Sequence, residues 1–401
     1  MGPHGAVYGD DRFMNYVGID VSKFKHDCFI ATETGEIVRN PFTFSNDRQG
    51  FDGFYSILKG LDPKETRIGF ESTGHYGNNL RSFIESTGYP FMELNPLLVS
   101  RFRKSATLRR TKTDKIDAKV IAKALMSMDF RPASLKPLSM ESLRSLTRHR
   151  FRLVRLRANI LVQLTSALDV IFPEFKPFFK GRFGKTAFYL LEKYQLPDKM
   201  AKMNKLSYEG FNNASRGKIS YSSFCHLIEL AKVTVGQTND YAETQIGTLV
   251  TLYQCFTTEI AKTEAIVKQA IARLNPPLAS IKGIGDVTVA VILSEYGDIH
   301  RFSSPAKLLS FAGIEPGIIQ SGNSDHVGKM VKHGSGYLRF ALMNAAEMMI
   351  VHHQTMYDYY AKKRSEGKPH RVALTHVAKK LVRIIFKLET ERLLFDSSFL
   401  K

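Results

Sequence analysis

From Tyr16 to Met128 the chain switches repeatedly between a two-residue and a helical period. YVGIDVSK (Tyr16 to Lys23) and HDCFIAT (His26 to Thr32) are rich in β-branched and aromatic residues and read as strands. The turn ETGE (Glu33 to Glu36) leads into a third strand, IVRNPFTF (Ile37 to Phe44). A helix is predicted around Gln49 to Leu61, a short buried strand over TRIGFE (Thr66 to Glu71), a helix over Gly77 to Thr87 and a strand over PFMEL (Pro90 to Leu94). Pro96 to Lys104 reads as a helix start with proline near its first position. Thr113 is placed to cap a last helix running to Met128, with Ile116, Val120, Ile121 and Ala124 on its apolar face.

A three-strand meander followed by alternating helix and strand is the order of an RNase H-like fold, a mixed sheet flanked by helices. A dinucleotide-binding α/β domain is disfavoured, since no GxGxxG follows the first strand. From about Glu141 to Leu274 the pattern is helical. Ile246, Leu249, Tyr253, Phe256, Ile260, Thr263, Val267, Ala270 and Leu274 keep a 3-4 spacing over about four heptads, the mark of a coiled-coil or helical-hairpin arm, with dimerisation a fair reading of its stripe. Phe172 to Gly236, rich in Phe, Lys, Asn and Ser, reads as an insertion that widens the arm. Beyond it, Gly283-Ile284-Gly285 before an apolar helix resembles a helix-hairpin-helix turn, whose backbone N–H groups hold phosphate. Ser304-Pro305 opens another helix, FAGIEPG (Phe311 to Gly317) leads into a polar loop, and Gly336 to His353 and His370 to Leu388 are helices. The expected division is therefore 15–135, α/β; 136–275, helical, with an insertion at about 172–236; and 276–401, mostly helical.

Charge sharpens this picture. The 401 residues carry 57 Lys+Arg against 38 Asp+Glu, a formal charge of +19. Leu97 to Ile160 alone holds 17 basic and 4 acidic residues, so most of the excess is local. Such charge calls for a polyanionic partner, and no strong apolar face opposes it as membrane binding would need. Nucleic acid is the expected partner, with Arg101, Arg103, Lys104, Arg109, Arg110, Lys112, Lys115, Arg148, Arg152, Arg155 and Lys332 as candidate contacts, beside Arg144, Arg150 and Arg157 in the second cluster. Three scattered cysteines, Cys28, Cys225 and Cys255, disfavour a zinc ribbon or a disulfide framework. No signal-peptide core and no run of about 18 apolar residues is present, and a cytoplasmic location is expected.

Four acids stand out. Asp20 closes the first strand and Glu71 the fourth, and in an RNase H-like sheet those strands are neighbours. Asp114 and Asp117, at i and i+3, share one face of the following helix. Four convergent carboxylates would need cations, and hard oxygen donors select Mg²⁺ or Mn²⁺, two of which can stabilise the attacking and leaving oxygens of a phosphodiester. Phosphoryl transfer is the chemistry implied.

The same residues resemble the DEDD motifs of the insertion-sequence 110 family of transposases, which includes pilin-gene invertases and RNA-guided bridge recombinases. They are YVGIDVSK with Asp20, FESTGHY (Phe70 to Tyr76) with Glu71, and RRTKTDKIDA (Arg109 to Ala118) with Asp114 and Asp117. SIKGIGDVTVAVILSEYGDIHRFSSPAKLLSFAGIEP (Ser280 to Pro316), QSGNS (Gln320 to Ser324) and KHGSGYLRFAL (Lys332 to Leu342) match in the same order. The resemblance implies a RuvC-like catalytic domain holding Mg²⁺, a coiled-coil linker used in forming a dimer or tetramer, and a C-terminal transposase domain with a nucleophilic serine. By its place in the SG motif that serine is Ser321. It further implies a covalent phosphoserine link to DNA, strand exchange, and a structured noncoding RNA that pairs with donor and target DNA. Composition alone makes Ser321-Gly322-Asn323-Ser324 a turn. His326, Lys329 and Lys332 are placed to assist hydroxyl attack on phosphorus, and only the resemblance selects Ser321 over Ser324. Two other functions compete: a metal-dependent junction endonuclease using water with no covalent step, and an RNA-binding scaffold whose acids are structural.

Overall fold

The structure, a computed structural model, describes residues 13–71, 74–106, 114–130, 132, 138–321 and 324–400, with side chains at all of these except 106, 114, 115, 138, 139, 316–321 and 324–329. The chain divides into two compact units, Met1–Leu135 and Lys136–Lys401.

In the first unit, β1 (Asn15–Val21), β2 (Lys25–Thr32) and β3 (Ile37–Ser45) form an antiparallel meander, followed by helix α1 (Arg48–Leu58), β4 (Thr66–Glu71), α2 (Gly77–Thr87), β5 (Phe91–Leu94), α3 (Pro96–Ala106) and α4 (Asp114–Ser127). The five strands are ordered β3-β2-β1-β4-β5, with β1–β4 and β4–β5 parallel. Both faces of the sheet are covered, which is why β1 and β4 read as nearly unbroken apolar runs. Val17, Ile19, Cys28, Ile30, Ile68 and Phe70 pack on Phe54 and Leu58 of α1 and Leu80 and Ile84 of α2. The alternate positions Tyr16, Phe29 and Ala31 pack on α4 through Ala118, Ile121, Ala122 and Leu125.

At Gly18, in the middle of β1, α4 comes down onto the strand itself. A Cβ there would stand 2.3 Å from the Ala118 carbonyl oxygen and 2.4 Å from the Ala122 nitrogen. Both are helix backbone atoms that no rotamer can move aside, so Gly18→Ala is expected to cost at least the roughly 1–3 kcal/mol typical of overpacking, measured by denaturant unfolding.

On the opposite face His26 is wholly buried between the rings of Phe44 and Phe51. Burial lowers its pKa from 6.5, more than the nearby Asn46 and Asp27 raise it. The unfolded chain therefore binds the proton more readily than the folded one, so the contribution of neutral His26 is complete above pH 6.5 and is lost as pH falls below it. Unfolding measured from about pH 8 to about pH 5 should show this acid loss, and His26→Leu should lessen it.

The second unit is helical apart from one hairpin. Helix α5 (Leu138–Ile171) is followed by α6 (Phe175–Phe178), α7 (Lys185–Tyr194), α8 (Pro197–Met200), α9 (Lys205–Ser215), α10 (Tyr221–Lys232) and α11 (Ala242–Leu274). Then come α12 (Asp286–Tyr296), α13 (Pro305–Ala312), β6 (Pro316–Ser321), β7 (Ser324–Met330), α14 (Gly336–His352), α15 (Gln354–Ser365) and α16 (His370–Glu391). Helices α5 and α11 run antiparallel. The last turns of α5 (Leu164, Leu168, Ile171) meet the first turns of α11 (Ala242, Ile246, Val250) in a core that Phe172, Phe175, Phe188, Phe211 and Phe224 complete. The opposite ends, Leu143 with Val267 and Ile271, enter the core of α12 to α16. The segment 172–236, expected as an insertion, is a set of short helices whose phenylalanines share one core with the ends of α5 and α11. Ile246, Leu249, Ile260, Thr263 and Val267 of the heptad stripe are buried within the chain itself.

Two local readings differ from the structure. The segment after Gly317, expected to be loop, is the β6–β7 hairpin, and a polar helix, α15, follows α14. PGIIQS and SDHVGKM lack a clear two-residue alternation, and only Met356 of α15 is buried, so neither element leaves an amphipathic pattern.

Candidate active site

Asp20 and Glu71 owe their position to the parallel pairing of β1 with β4. The register pairs Ile19 with Phe70, so Asp20 and Glu71 follow one step later at the ends of adjacent strands. By alternation both fall on the face of Gly18 and Gly69, the face that α4 covers. Asp114 begins α4, its side chain outside the described residues, and Asp117 lies one turn in, 5% exposed, directly before the Ala118 that meets Gly18.

Arg103 of α3 brings Nη2 to 2.9 Å from Asp117 Oδ1, but without hydrogen-bond alignment, and that oxygen has no hydrogen-bond partner. Among the described residues no three Asp, Glu, His or Cys side chains stand close enough to hold a metal ion. The fold sets the ends of β1 and β4, with Asp20 and Glu71, side by side and packs the Asp117 helix on the same face, but the described side chains of Asp20, Glu71 and Asp117 do not draw together into the cluster expected from sequence, and the Asp114 side chain lies outside the described residues. What is present suits a hard divalent cation in kind: the donors are all carboxylate oxygens, and one is buried without a hydrogen bond.

Sequence reasoning missed a neighbouring acid. Asp27 pairs directly with Asp20 across β1–β2 and is 2% exposed. The Thr43 hydroxyl donates a 2.5 Å hydrogen bond to its Oδ1, and Lys25 Nζ stands 3.6 Å from its Oδ2. The signal was available, since a short turn at Ser22 to Phe24 fixes the register that brings the two aspartates opposite each other.

The basic candidates separate into groups. Arg101 and Lys104 are exposed on α3, while Arg103 turns to Asp117. Arg109, Arg110 and Lys112 lie outside the described residues, as does the Lys115 side chain. On α5, Arg148 holds the buried Glu295 in a two-pronged pair, Nε–Oε1 2.7 Å and Nη2–Oε2 2.8 Å, which raises the arginine pKa further. Arg150 binds Glu264 Oε1 at 2.9 and 2.6 Å, and Arg144 reaches Glu141 at 3.3 Å. Arg152 and Arg155 are exposed and have no acidic partner among the described residues, and Lys332 is exposed with φ +47°.

Where α15 turns into α16, several basic side chains gather around one acid. Lys363 and Lys368 hydrogen-bond Glu366 and hold its pKa at about 2. Burial first, and then the charges of Lys379, Lys363 and Lys368, lower the pKa of His376.

Ser321 is the last residue of β6, paired with Ser324 of β7, so it stands at the tip of the hairpin; its side chain is not described. Comparison with known proteins places these elements. Residues 17–173 match the DEDD-type IS110 transposase family, described as transposase, and residues 275–361 match the transposase IS116/IS110/IS902 family. The chain carries both domains of the insertion-sequence 110 family and belongs to it.

Several relatives align along most of their length. The 44.8 kDa protein of insertion element IS116 from Streptomyces clavuligerus is 23% identical over 95% of this chain and 96% of its own. The pilin gene-inverting protein of Moraxella bovis is 24% identical over 95% and 97%. The transposase for insertion sequence element IS1111A of Coxiella burnetii is 24% identical over 80% and 77%. As an insertion-sequence 110 family protein the chain is a transposase or recombinase, a DNA-processing enzyme. Asp20, Glu71, Asp114 and Asp117 fall in the first matched span, and Ser321 and Lys332 in the second. Among the described residues no helix is long and apolar enough to cross a membrane.

Proposed function

We propose that this transposase cleaves and exchanges DNA strands through a covalent link between Ser321 and DNA, with Asp20, Glu71, Asp114 and Asp117 holding Mg²⁺ or Mn²⁺. The observation that carries the reading is the placement of Asp20 and Glu71 at the ends of neighbouring parallel strands, under a helix whose Asp117 keeps a buried carboxylate oxygen without a hydrogen bond. The strand order β3-β2-β1-β4-β5, with three antiparallel strands and two parallel ones, supports an RNase H-like, RuvC-like form for this domain.

A divalent ion bound there would neutralise the charge that builds up on the scissile phosphate. The Ser321 hydroxyl oxygen forms a bond to phosphorus, the bridging P–O bond of the strand breaks, and the released strand oxygen takes up the proton. Attack by a hydroxyl of another strand then restores the serine and completes exchange. Arg101, Lys104, Arg152, Arg155 and Lys332, with Arg109, Arg110, Lys112 and Lys115, contact phosphates. Arg103 and Arg148 act through Asp117 and Glu295, their partners within the chain.

Sequence reading is assigned to a noncoding guide RNA that pairs with donor and target, which leaves the protein to recognise chiefly backbone and shape. The working form is a homo-oligomer, dimer or tetramer, and the exposed Leu156, Val162, Leu252 and Ile266 along the α5–α11 pair favour contact between copies there. The chain works as a catalytic domain (15–135), a helical arm (136–275) and a transposase domain (276–401) inside the cell. The test is to incubate the chain with element-end DNA and Mg²⁺, denature it, and look for protein-linked DNA that chelation before mixing prevents.

A further inference from the structure

Helices α5, α12 and α14 converge on a recess lined by Arg148, Phe151, Thr288, Tyr337, Phe340 and Asn344, among others. Its walls are fixed. Arg148 is locked to Glu295, with its guanidinium 5.0 Å over the Tyr337 ring. Phe151 stands edge-on to Tyr337 at 4.9 Å and to Phe340 at 5.8 Å. Two features of this well-braced corner are incomplete. Phe340 leaves 54% of its surface in water, and the Thr288 hydroxyl and Asn344 amide find no hydrogen-bond partner among the described residues.

We propose that this recess receives one unstacked base of a DNA strand, with Phe340 stacking on its face and Asn344 and Thr288 meeting its edge. The cavity volume is about 60 Å³, well below the roughly 300–1,000 Å³ of cofactor and small-molecule sites. It therefore admits the edge of one planar ring, whose face must rest on something outside, and the exposed Phe340 ring is at the mouth. Asparagine presents a donor and an acceptor side by side, the pattern that pairs with a base edge. Charge favours the same occupant, since Arg152 and Arg155, within one turn of Phe151 on α5, are exposed and without acidic partners among the described residues, open to the flanking phosphates. Aromatic rings beside a cationic track are how single strands are held without sequence preference. The proposal rests on the reading of this protein as a DNA strand-exchange enzyme, in which unpaired bases arise while strands are moving.

The full chain is titrated with a short single-stranded DNA carrying one fluorescent adenine analogue, and with the same sequence as duplex and as RNA. Phe340→Ala is expected to weaken single-strand binding about 5- to 100-fold, the range for loss of one stacked base, without altering the slope against salt, because no charge is removed. Phe340→Tyr is expected to restore binding, which separates stacking from a folding defect, and Asn344→Ala to flatten the difference between bases. Wild-type affinity in Phe340→Ala overturns the pocket, as does an equal loss on duplex. Phe340 dependence confined to RNA overturns the assignment to DNA. Dissociation of an oligomer by Phe340→Ala with single-strand affinity unchanged overturns it in favour of a second copy of the chain. Failure of the wild-type chain to bind DNA in any form overturns the functional reading itself.

Discussion

Ser321→Ala is expected to abolish the denaturation-resistant protein–DNA link and to lower strand exchange by at least about a thousandfold, while DNA affinity stays as in the wild type. Removing a nucleophile that forms a covalent intermediate eliminates the route itself, and only slow attack by water remains. Affinity should survive because the alanine removes no charge, and phosphate contacts dominate binding to DNA. The backbone should survive as well, since Ser321 ends β6 in register with Ser324 and alanine keeps that pairing. Ser324→Ala is the informative control. Both residues are serines at one hairpin tip, so a chemistry that needs only a nearby hydroxyl would be damaged by either, whereas the assignment to Ser321 requires full activity in Ser324→Ala. Gel analysis of denatured reactions with labelled DNA reads both. Cleavage that persists undiminished in Ser321→Ala would transfer the function to a metal-dependent junction endonuclease with water as nucleophile.

The parts of the fold that announced themselves in the sequence are those governed by local pattern. β1 and β4 were legible because burial on both faces leaves unbroken apolar runs, and α4 because Val120, Ile121 and Ala124 of its expected apolar face are buried, although Ile116, expected with them, is exposed and Ala118, Ala122 and Leu125 make the contact with the sheet instead. The close approach at Gly18 was only half legible, since a glycine inside the strand YVGID marks a close backbone contact but not which helix makes it. The α5 arginines show the same limit. Their density is plain in the sequence, but Arg148 and Arg150 are matched by Glu295 and Glu264, 147 and 114 residues away. A charge run therefore overstates the free cationic surface wherever its partners are distant.

Asp20 and Glu71 could be chosen from sequence because a strand order, once guessed, fixes which strand ends are neighbours. Asp27 was passed over because it looks like an ordinary strand residue until the short turn at Ser22 to Phe24 is used to set the register that puts it opposite Asp20. Two aspartates facing each other across a ladder are destabilising unless something offsets their repulsion. Thr43 and Lys25 do so for Asp27. Its carboxylate is thus turned to the protein's own donors, which argues for a supporting place beside the proposed metal-binding carboxylates.

Asp20→Asn, Glu71→Gln and Asp117→Asn are each expected to reduce Mg²⁺-dependent strand cleavage by at least about a thousandfold, with DNA affinity unchanged or slightly increased. Lewis-acid stabilisation of a phosphoryl-transfer transition state contributes several kcal/mol, and about 1.36 kcal/mol is worth a factor of ten, so disturbing one ligand reaches that size. The amide keeps the shape of the carboxylate but loses the anionic oxygen that binds a hard cation. Asp117 separates catalysis from structure most sharply. If its purpose were to pair with Arg103, Asp117→Asn would lower the unfolding midpoint and leave cleavage by the surviving folded molecules intact. A metal role predicts the reverse, because the Arg103 side chain, 27% exposed, can turn to water, while the Oδ1 that lacks a hydrogen bond has no substitute. Mn²⁺ binding measured calorimetrically on the same variants supplies a reading independent of turnover. Weakened binding in all three supports shared coordination. Binding and cleavage both undiminished in Asp20→Asn would mean that the carboxylates on β1 and β4 are neighbours for the sake of the fold alone.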